Sequence, residues 1–422
     1  MNWDTISERD RARIRQWQKW MLALALICEV FLAADWYAFA AVIPFISETL
    51  SLNPAQAGFA QGIFALTYGI GMFVWSPVSR NMTARSMLMI GLAGTGLGML
   101  LQIFVQNFTQ LVILRLAIGF FDAAIFIGVM KLIFAWYPRS RHGFMVGLVL
   151  AAYSLAITLD FALGIPLTIA AGWRVFFAVL AVGTLVAAAI TILFARNGPA
   201  DIGLRNFAWE AEPDVSSLPL REVFRSRWIV IGGLGIAACT FAIAGTATWV
   251  VPAFIAVQQM PVEYAAVIGT LMGLSQVVFL VIGGVMSDRY GKPFMIKLTA
   301  FLAALTGVMF LSATIWPMAF GMLALFAALS GLAVLGGGAI FALMSEKYPH
   351  SLAPAAVGYA EVFGILSSFV APWVMGAIIV ASDGTFTNAF IAFTAIEVIF
   401  FLLLVALARD SAPSRAVVQP AE

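Results

Sequence analysis

Twelve runs of apolar residues, each of about twenty or more, divide this 422-residue chain. They fall at approximately 20–46, 56–78, 86–106, 109–136, 143–170, 173–195, 228–257, 262–286, 294–315, 318–345, 352–381 and 386–408. A helix needs about 20 residues to cross the roughly 30 Å hydrocarbon layer of a bilayer, so each run is long enough to span. Hydrophobic residues make up 62% of the chain and charged residues 10%. Soluble proteins carry about 45–50% and about 25%, and no soluble globule could cover so much apolar surface. Lipid satisfies no backbone groups, and the runs lack the alternation of barrel strands, so helices are the expected element. The expected fold class is an all-α polytopic membrane protein.

Charge sets the expected orientation. Of the 23 Lys and Arg residues, 20 fall in the loops and ends of one side. The exceptions are Arg174 in an opposite loop, and Arg115 and Lys131 inside the fourth run. Basic loops stay on the cytoplasmic side, so both termini are expected there, with the chain in the cell inner membrane. The basic N-terminal stretch, with Trp17 and Trp20, suits anionic headgroups. Glu8 and Asp10 interrupt its basic residues, which reads as a topology anchor rather than a nucleic-acid surface. The stretch lacks a small-residue cleavage site and is expected to be retained. Cys28 and Cys239 lie in separate apolar runs and read as packed core residues. No cofactor or metal is expected.

The longest hydrophilic connection, Arg196 to Arg227, divides six runs from six. The expected organisation is a basic N-terminus at 1–19, a six-helix bundle at 20–195, a linker at 196–227, a second six-helix bundle at 228–409 and a tail at 410–422. The halves share landmarks. Tyr137-Pro138 and Gly147 stand 211 residues before Tyr348-Pro349 and Gly358, and Gly172 stands 212 before Gly384. A near-constant offset over several landmarks signals internal repetition, so the twelve helices are expected to form two pseudo-symmetric six-helix bundles. Parallel repeats of this kind place a substrate site between the halves near the bilayer midplane.

GGVMSDRYGK, from Gly283 to Lys292, resembles the G-x-x-x-D-R-x-G-R/K signature of the major facilitator superfamily, through Gly284, Asp288, Arg289, Gly291 and Lys292. The glycines permit a tight turn, Asp288 could cap a neighbouring helix start, and the basic pair suits the inner face. In that family the loop latches the halves in one of two facing states. The first-half copy, WSPVSRNMTAR, has Ser79 in place of the aspartate but keeps Arg80 and Arg85. A second likeness covers the first half. ADWYAFAAVIPFISETLSLNPAQAGF resembles the first span of the anion:cation symporter branch, which carries organic acids and sugar acids. Asp35 matches its acid and Pro44 its proline, whereas Trp36 replaces its arginine. RLAIGFFDAAIF resembles the branch's Arg-x-x-x-Gly-x-x-acid element, with Arg115, Gly119 and Asp122. The branch is also similar at KLIFAWYPRSRHG and PADIGL.

Charges inside the runs demand explanation, because one near the bilayer centre costs roughly 2.5–3.5 kcal/mol on insertion scales. Arg115 and Asp122 are seven residues apart, on one helix face about 10.5 Å apart along the axis. The resemblance puts this helix and that of Asp35 against a central cavity. One reading has Arg115 holding an anion or a partner carboxylate while Asp122 and Asp35 exchange protons; the other is a static ion pair that fixes packing. Asp160 and Glu361 are further candidates for the domain interface. Glu29 reads as facing another helix or the inner vestibule, Glu397 as a locally paired structural acid, and Lys131 as snorkelling to the interface. The second half has no Lys or Arg in its span cores apart from Lys297 near an inner end. Its polar groups include Thr246, Thr248, Trp249, Ser275 and Gln276. Such a wall suits cargo with one anionic end and a less polar body; the resembled family's organophosphate exchangers carry basic residues in spans one and seven, which this chain lacks, so the resemblance implies that a dianionic phosphate is not the cargo.

The expected function is secondary active transport of a small organic anion by alternating access, as proton symport. The expected substrate- and proton-binding residues are Asp35, Arg115, Asp122, Asp160, Trp249, Gln276 and Glu361, and the partners are the small molecule, protons and the bilayer, with a monomeric chain. Two alternatives stand beside it. Six buried acids against two basic groups suit proton-driven efflux of a hydrophobic or cationic compound; a membrane sensor on a transporter scaffold is the other. No nucleophile–base set or phosphate loop points to an enzyme.

Overall fold

The computed structural model is described for residues 3, 6–205, 207, 209, 224–348 and 353–408. The linker at 210–223, Pro349 and the tail from 409 onward lie outside the described residues. Among the described residues the chain is all helical, with twelve helices long and apolar enough to cross a membrane. In the first half these are α1 (Glu8–Leu50), α2 (Pro54–Val78), α3 (Ala84–Gln102), α4 (Phe108–Trp136), α5 (Arg139–Leu159, continued through Asp160–Gly164 and Ile165–Ala171) and α6 (Trp173–Phe194). In the second they are α7 (Trp228–Val257), α8 (Ala265–Tyr290), α9 (Lys292–Ile315), α10 (Phe320–Leu329, continued through Ser330–Val334 and Gly337–Lys347), α11 (Ala353–Ala381) and α12 (Phe386–Leu407). Alternating directions put the start of α1, the linker and the end of α12 on one face, the linker face. The opposite side is the far face.

Local chemistry explains most boundaries. Ser7, Asn53, Thr83 and Asn107 cap α1 to α4, each accepting from the backbone N–H three residues on. Gly172 (φ 88°) and Gly291 (φ 85°) occupy left-handed geometry that allows helices to abut with one residue between them. The α8–α9 connection is thereby shorter than the sequence suggests, and α9 starts at Gly291 without a side-chain cap. The Asp288 side chain lies outside the described residues. Inside α1, Pro44 cannot donate to Ala40, and Val42 departs from helical geometry (φ −116°, ψ 17°). α10 is not continuous: a 3-10 segment at Ser330–Val334 interrupts it before Gly337 restarts the helix.

The two tyrosines of the repeat end their helices alike. Tyr137 follows α4 at φ −123°, ψ 146°, and Tyr348 follows α10 at φ −119°, ψ 146°. The Tyr137 hydroxyl donates to Gln18 O at 2.9 Å. The Tyr348 hydroxyl meets the backbone of Ile229, which is 211 residues after Gln18. Each tyrosine thus ties the fourth helix of its half to the first.

Contacts between the halves are closest toward the far face. A side chain at Gly58 would overlap the Pro372 carbonyl, one at Gly62 the Phe369 carbonyl, and one at Gly376 the Pro54 carbonyl. α2 and α11 therefore touch backbone to backbone, as small residues allow in membranes. On the other side of the interface, Gly269 and Gly273 of α8 receive Phe161 and Thr158 of α5. Nearer the linker face, Gly147, Gly284 and Gly358 have nothing within 4 Å of where a side chain would begin.

Candidate functional site

Helix α4 carries its charges into the dry interior of the first half. Arg115, Asp122 and, on α1, Asp35 each have 0% exposure. A side chain at Gly119 would strike the Phe64 carbonyl of α2, so the room that glycine leaves is taken by a helix. That approach lets Arg115 reach across. Its Nε donates to Ala60 O at 3.2 Å and its Nη1 to Asp35 O at 3.2 Å. Its Nη2 donates to Gln61 Oε1 at 3.1 Å and to Trp36 O at 3.4 Å. Phe39 and Phe64 flank the guanidinium at 4.9 and 4.5 Å from their ring centres, a favourable setting for a desolvated cation. The sequence suggested that Arg115 reaches toward Asp122. Instead its donors go to main-chain and amide oxygens, and the side chain fastens α4 to α1 and α2.

The acids are left with few partners. Thr95 of α3 donates to Asp122 Oδ1 at 2.5 Å, and Oδ2 accepts nothing among the described residues. Neither carboxyl oxygen of Asp35 accepts a hydrogen bond among the described residues. The adjacent Thr184 hydroxyl gives its proton to Leu180 O at 2.9 Å instead. Asp35 and Asp122 both lie within electrostatic range of Arg115, and Asp160 within range of Asp35. Asp160 opens a π-helical turn. Pro166, which lacks the N–H that would bond Ala162, stands two residues after that turn. Such turns are rare and recur at functional sites.

The other expected site residues are dispersed. Trp249 is 2% exposed, and its indole donates to Pro372 O at 2.9 Å, packed where Gly58 and Gly376 bring α2 and α11 together. It belongs to the far-face closure. It also lines a largely apolar cavity of about 180 Å³ with Ile43, Pro44 and Phe386. Gln276 is buried in the second half beside Thr246, Thr306 and Ser330, with its Oε1 unpartnered among the described residues. The offset of 211 maps Asp35 onto Thr246, Thr95 onto Thr306 and Asp122 onto Ala333. At these positions the second half buries a hydroxyl (Thr246) and a methyl (Ala333) where the first buries carboxyls. Glu361 is half-buried on α11, within electrostatic range of Tyr68 on α2.

Lys131 donates to Ser79 O and Met82 O just beyond the end of α2, so both intramembrane cations are spent on neutral oxygens, mostly of the main chain. Lys292 of the signature loop pairs with Glu346 of its own half, and Arg289 lies over the Tyr290 ring at 5.5 Å. Glu397 was expected to be locally paired, yet neither of its oxygens has a partner among the described residues. Gln61 and Thr95 were not anticipated. Gln61 is a lone amide in an apolar run, which is a usable signal; Thr95 carries none.

A chain of twelve helices in repeated halves, with a guanidinium and carboxyls buried between spans, defines a polytopic membrane transporter. The profile of the Major Facilitator Superfamily matches residues 25–316 and 239–422, and the chain belongs to that family of transporters, which are not enzymes. It is 21% identical over 401 residues to the hexuronate transporter of Bacillus subtilis (strain 168), covering 92% of this chain and 94% of that one. It is 21% identical over 440 residues to the probable galactarate/D-glucarate transporter of Escherichia coli (strain K12), covering 95% of each. Among solved structures, a bacterial homologue of the human lysosomal transporter Spinster, inward-facing and unoccupied, superposes with a TM-score of 0.74 at 15% identity. The match covers 93% of this chain and 96% of that one.

Proposed function

We propose that this transporter carries a small organic carboxylate across the cell inner membrane together with protons, with both termini in the cytoplasm. The observation that carries the reading is the buried set of Arg115, Asp35, Asp122 and Asp160 on three helices of one half. One guanidinium neutralises one carboxylate; each further carboxyl needs a proton to remain neutral in a medium where an unpaired charge costs several kcal/mol. A transporter can exploit that requirement, because a proton taken up on one side and released on the other is the coupling event. The relatives named for hexuronate and for galactarate and D-glucarate support a hydroxylated carboxylate as cargo. The bias of basic residues supports the linker face as the cytoplasmic one. The far-face glycine contacts then support a state closed to the outside.

A thermal-stability screen of purified protein against hexuronates, aldarates and simple carboxylates, at two pH values, tests the cargo. A ligand at 100 times its Kd raises stability by about 2.7 kcal/mol. A shift with at least one hydroxylated carboxylate, stronger at the lower pH, is expected. Stabilisation only by organic cations would favour a second reading, proton-driven efflux. That reading draws on Glu361, half-buried beside Tyr68, and on the occupied donors of Arg115 and Lys131.

A further inference from the structure

Glu29 has no part in the account so far, yet it is 1% exposed and its Oε2 has no partner among the described residues. It lies within electrostatic range of Asp122, Asp122 of Asp35, and Asp35 of Asp160. Depth orders the four. At 1.5 Å per residue, Asp160 is about 16 Å from the far end of its helix, Asp122 about 21 Å, Asp35 about 22 Å and Glu29 about 31 Å. The carboxyls therefore form a file through the first half, with Asp122 and Asp35 level at its centre.

The two ends have different surroundings. Glu29 is within electrostatic range of Tyr68 of α2 and Tyr153 of α5, both only half-buried, and Tyr153 donates to the Tyr37 hydroxyl at 3.2 Å. Beyond Tyr68 stands Glu361 of α11. From α6 the Thr191 hydroxyl approaches Cys28, the neighbour of Glu29, at 3.9 Å. α3 contributes Thr95, and α7 holds Cys239 as its sole titratable side chain. At the other end, Asp160 precedes Phe161, which is seated against Gly269 of α8 in the far-face closure.

We propose that Glu29 and Asp160 are the two ports of a proton path whose central stations are Asp35 and Asp122, Glu29 serving the linker face and Asp160 the far face. The inference rests on the proton-coupled reading above. It involves no covalent step: a proton passes from water at the Tyr68–Tyr153 mouth to the Glu29 carboxylate and on to a central carboxylate. With the far face closed, exchange with water runs chiefly through Glu29, which both tyrosines approach, whereas Asp122 is within range of Tyr68 only.

Hydrogen–deuterium exchange of buried carboxyl protons, followed by the isotope shift of their infrared C=O bands after transfer of the purified full chain to D2O, tests this without a substrate. Bands lost in Asp35→Asn and Asp122→Asn assign the central acids. Glu29→Gln is expected to slow their exchange at least tenfold, and Glu29→Asp to restore part of the rate. Carrying Gly58→Ala to disfavour far-face closure, the protein should pass its dependence to Asp160→Asn. Wild-type exchange rates in both Glu29→Gln and Glu29→Asp would overturn the file while leaving coupling intact. If neither central variant removes a carboxyl band, the acids hold no proton and the coupling reading falls with it.

Discussion

The guanidinium of Arg115 donates to the main-chain carbonyl of Asp35 at 3.2 Å, while the carboxyl of the same aspartate accepts no hydrogen bond among the described residues. On the proposed proton-coupled reading, the clamp and the titrating group are separate parts of one residue, and Asp35 could gain or lose a proton without the helices coming apart. Arg115 holds α1, α2 and α4 together and tunes the charge balance of the acids around it.

Replacing Arg115 by Lys tests that division. An ammonium has three donors on a flexible stem and cannot reproduce the planar fork that reaches both α1 and α2. Buried carbonyls left unpartnered cost about 1–3 kcal/mol. Unfolding of purified Arg115→Lys should show a loss of that order, with Arg115→Gln no better. A variant as stable as the parent would remove the clamp.

Gly58 and Gly376 allow the far-face closure because a methyl at either would meet a carbonyl of the partner helix. Gly58→Ala and Gly376→Ala should each shift the protein toward a far-open arrangement, roughly tenfold for every 1.4 kcal/mol of clash in the closed one. Ser47 lines the cavity beside that closure. A cysteine at position 47, in protein lacking Cys28 and Cys239, should react several-fold faster with an impermeant maleimide when either alanine is present.

Trp249 reports on the same closure by chemistry rather than bulk. Trp249→Phe keeps an aromatic ring between α2 and α11 but deletes the hydrogen bond to Pro372 O. A single neutral hydrogen bond contributes about 0.5–1.5 kcal/mol, so labelling at position 47 should rise less than in the glycine variants. Equal or slower labelling than the parent would show that the bond does not hold the closed state.

The Lys292–Glu346 pair joins α9 to the end of α10, with side chains 19% and 57% exposed. Exposed pairs contribute about 0–1 kcal/mol. Lys292→Gln should leave thermal stability nearly unchanged. Any larger effect on transport would mark Lys292 as contacting the other half in the opposite facing state.

The spans were legible because lipid leaves no alternative to long apolar helices, and Arg115, Asp35 and Asp122 stood out because charge in such runs is costly. Partners were less legible. The carbonyls of Ala60 and Trp36 that receive Arg115 belong to apolar residues, and a main-chain acceptor leaves no trace in side-chain identity. Trp249 read as a cargo contact because its helix lines the interface; that Gly58 and Gly376 would wrap it depends on how two distant helices meet. Pro44 was visible, yet the non-helical residue is Val42, two positions earlier. The repeat helped at Tyr137 and Tyr348; Glu397 was read as locally paired from its place in the last span, and its expected partners are missing among the described residues.

Proton movement during uptake tests the central claim most directly. Proteoliposomes loaded with a pH-sensitive dye, given a labelled carboxylate from the stability screen, should acidify inside as the compound enters, and accumulate it when the outside is more acidic. Asp35→Asn and Asp122→Asn should each cut that accumulation at least tenfold. Wild-type uptake that moves no protons, or accumulation untouched when both acids are neutralised, would contradict the account.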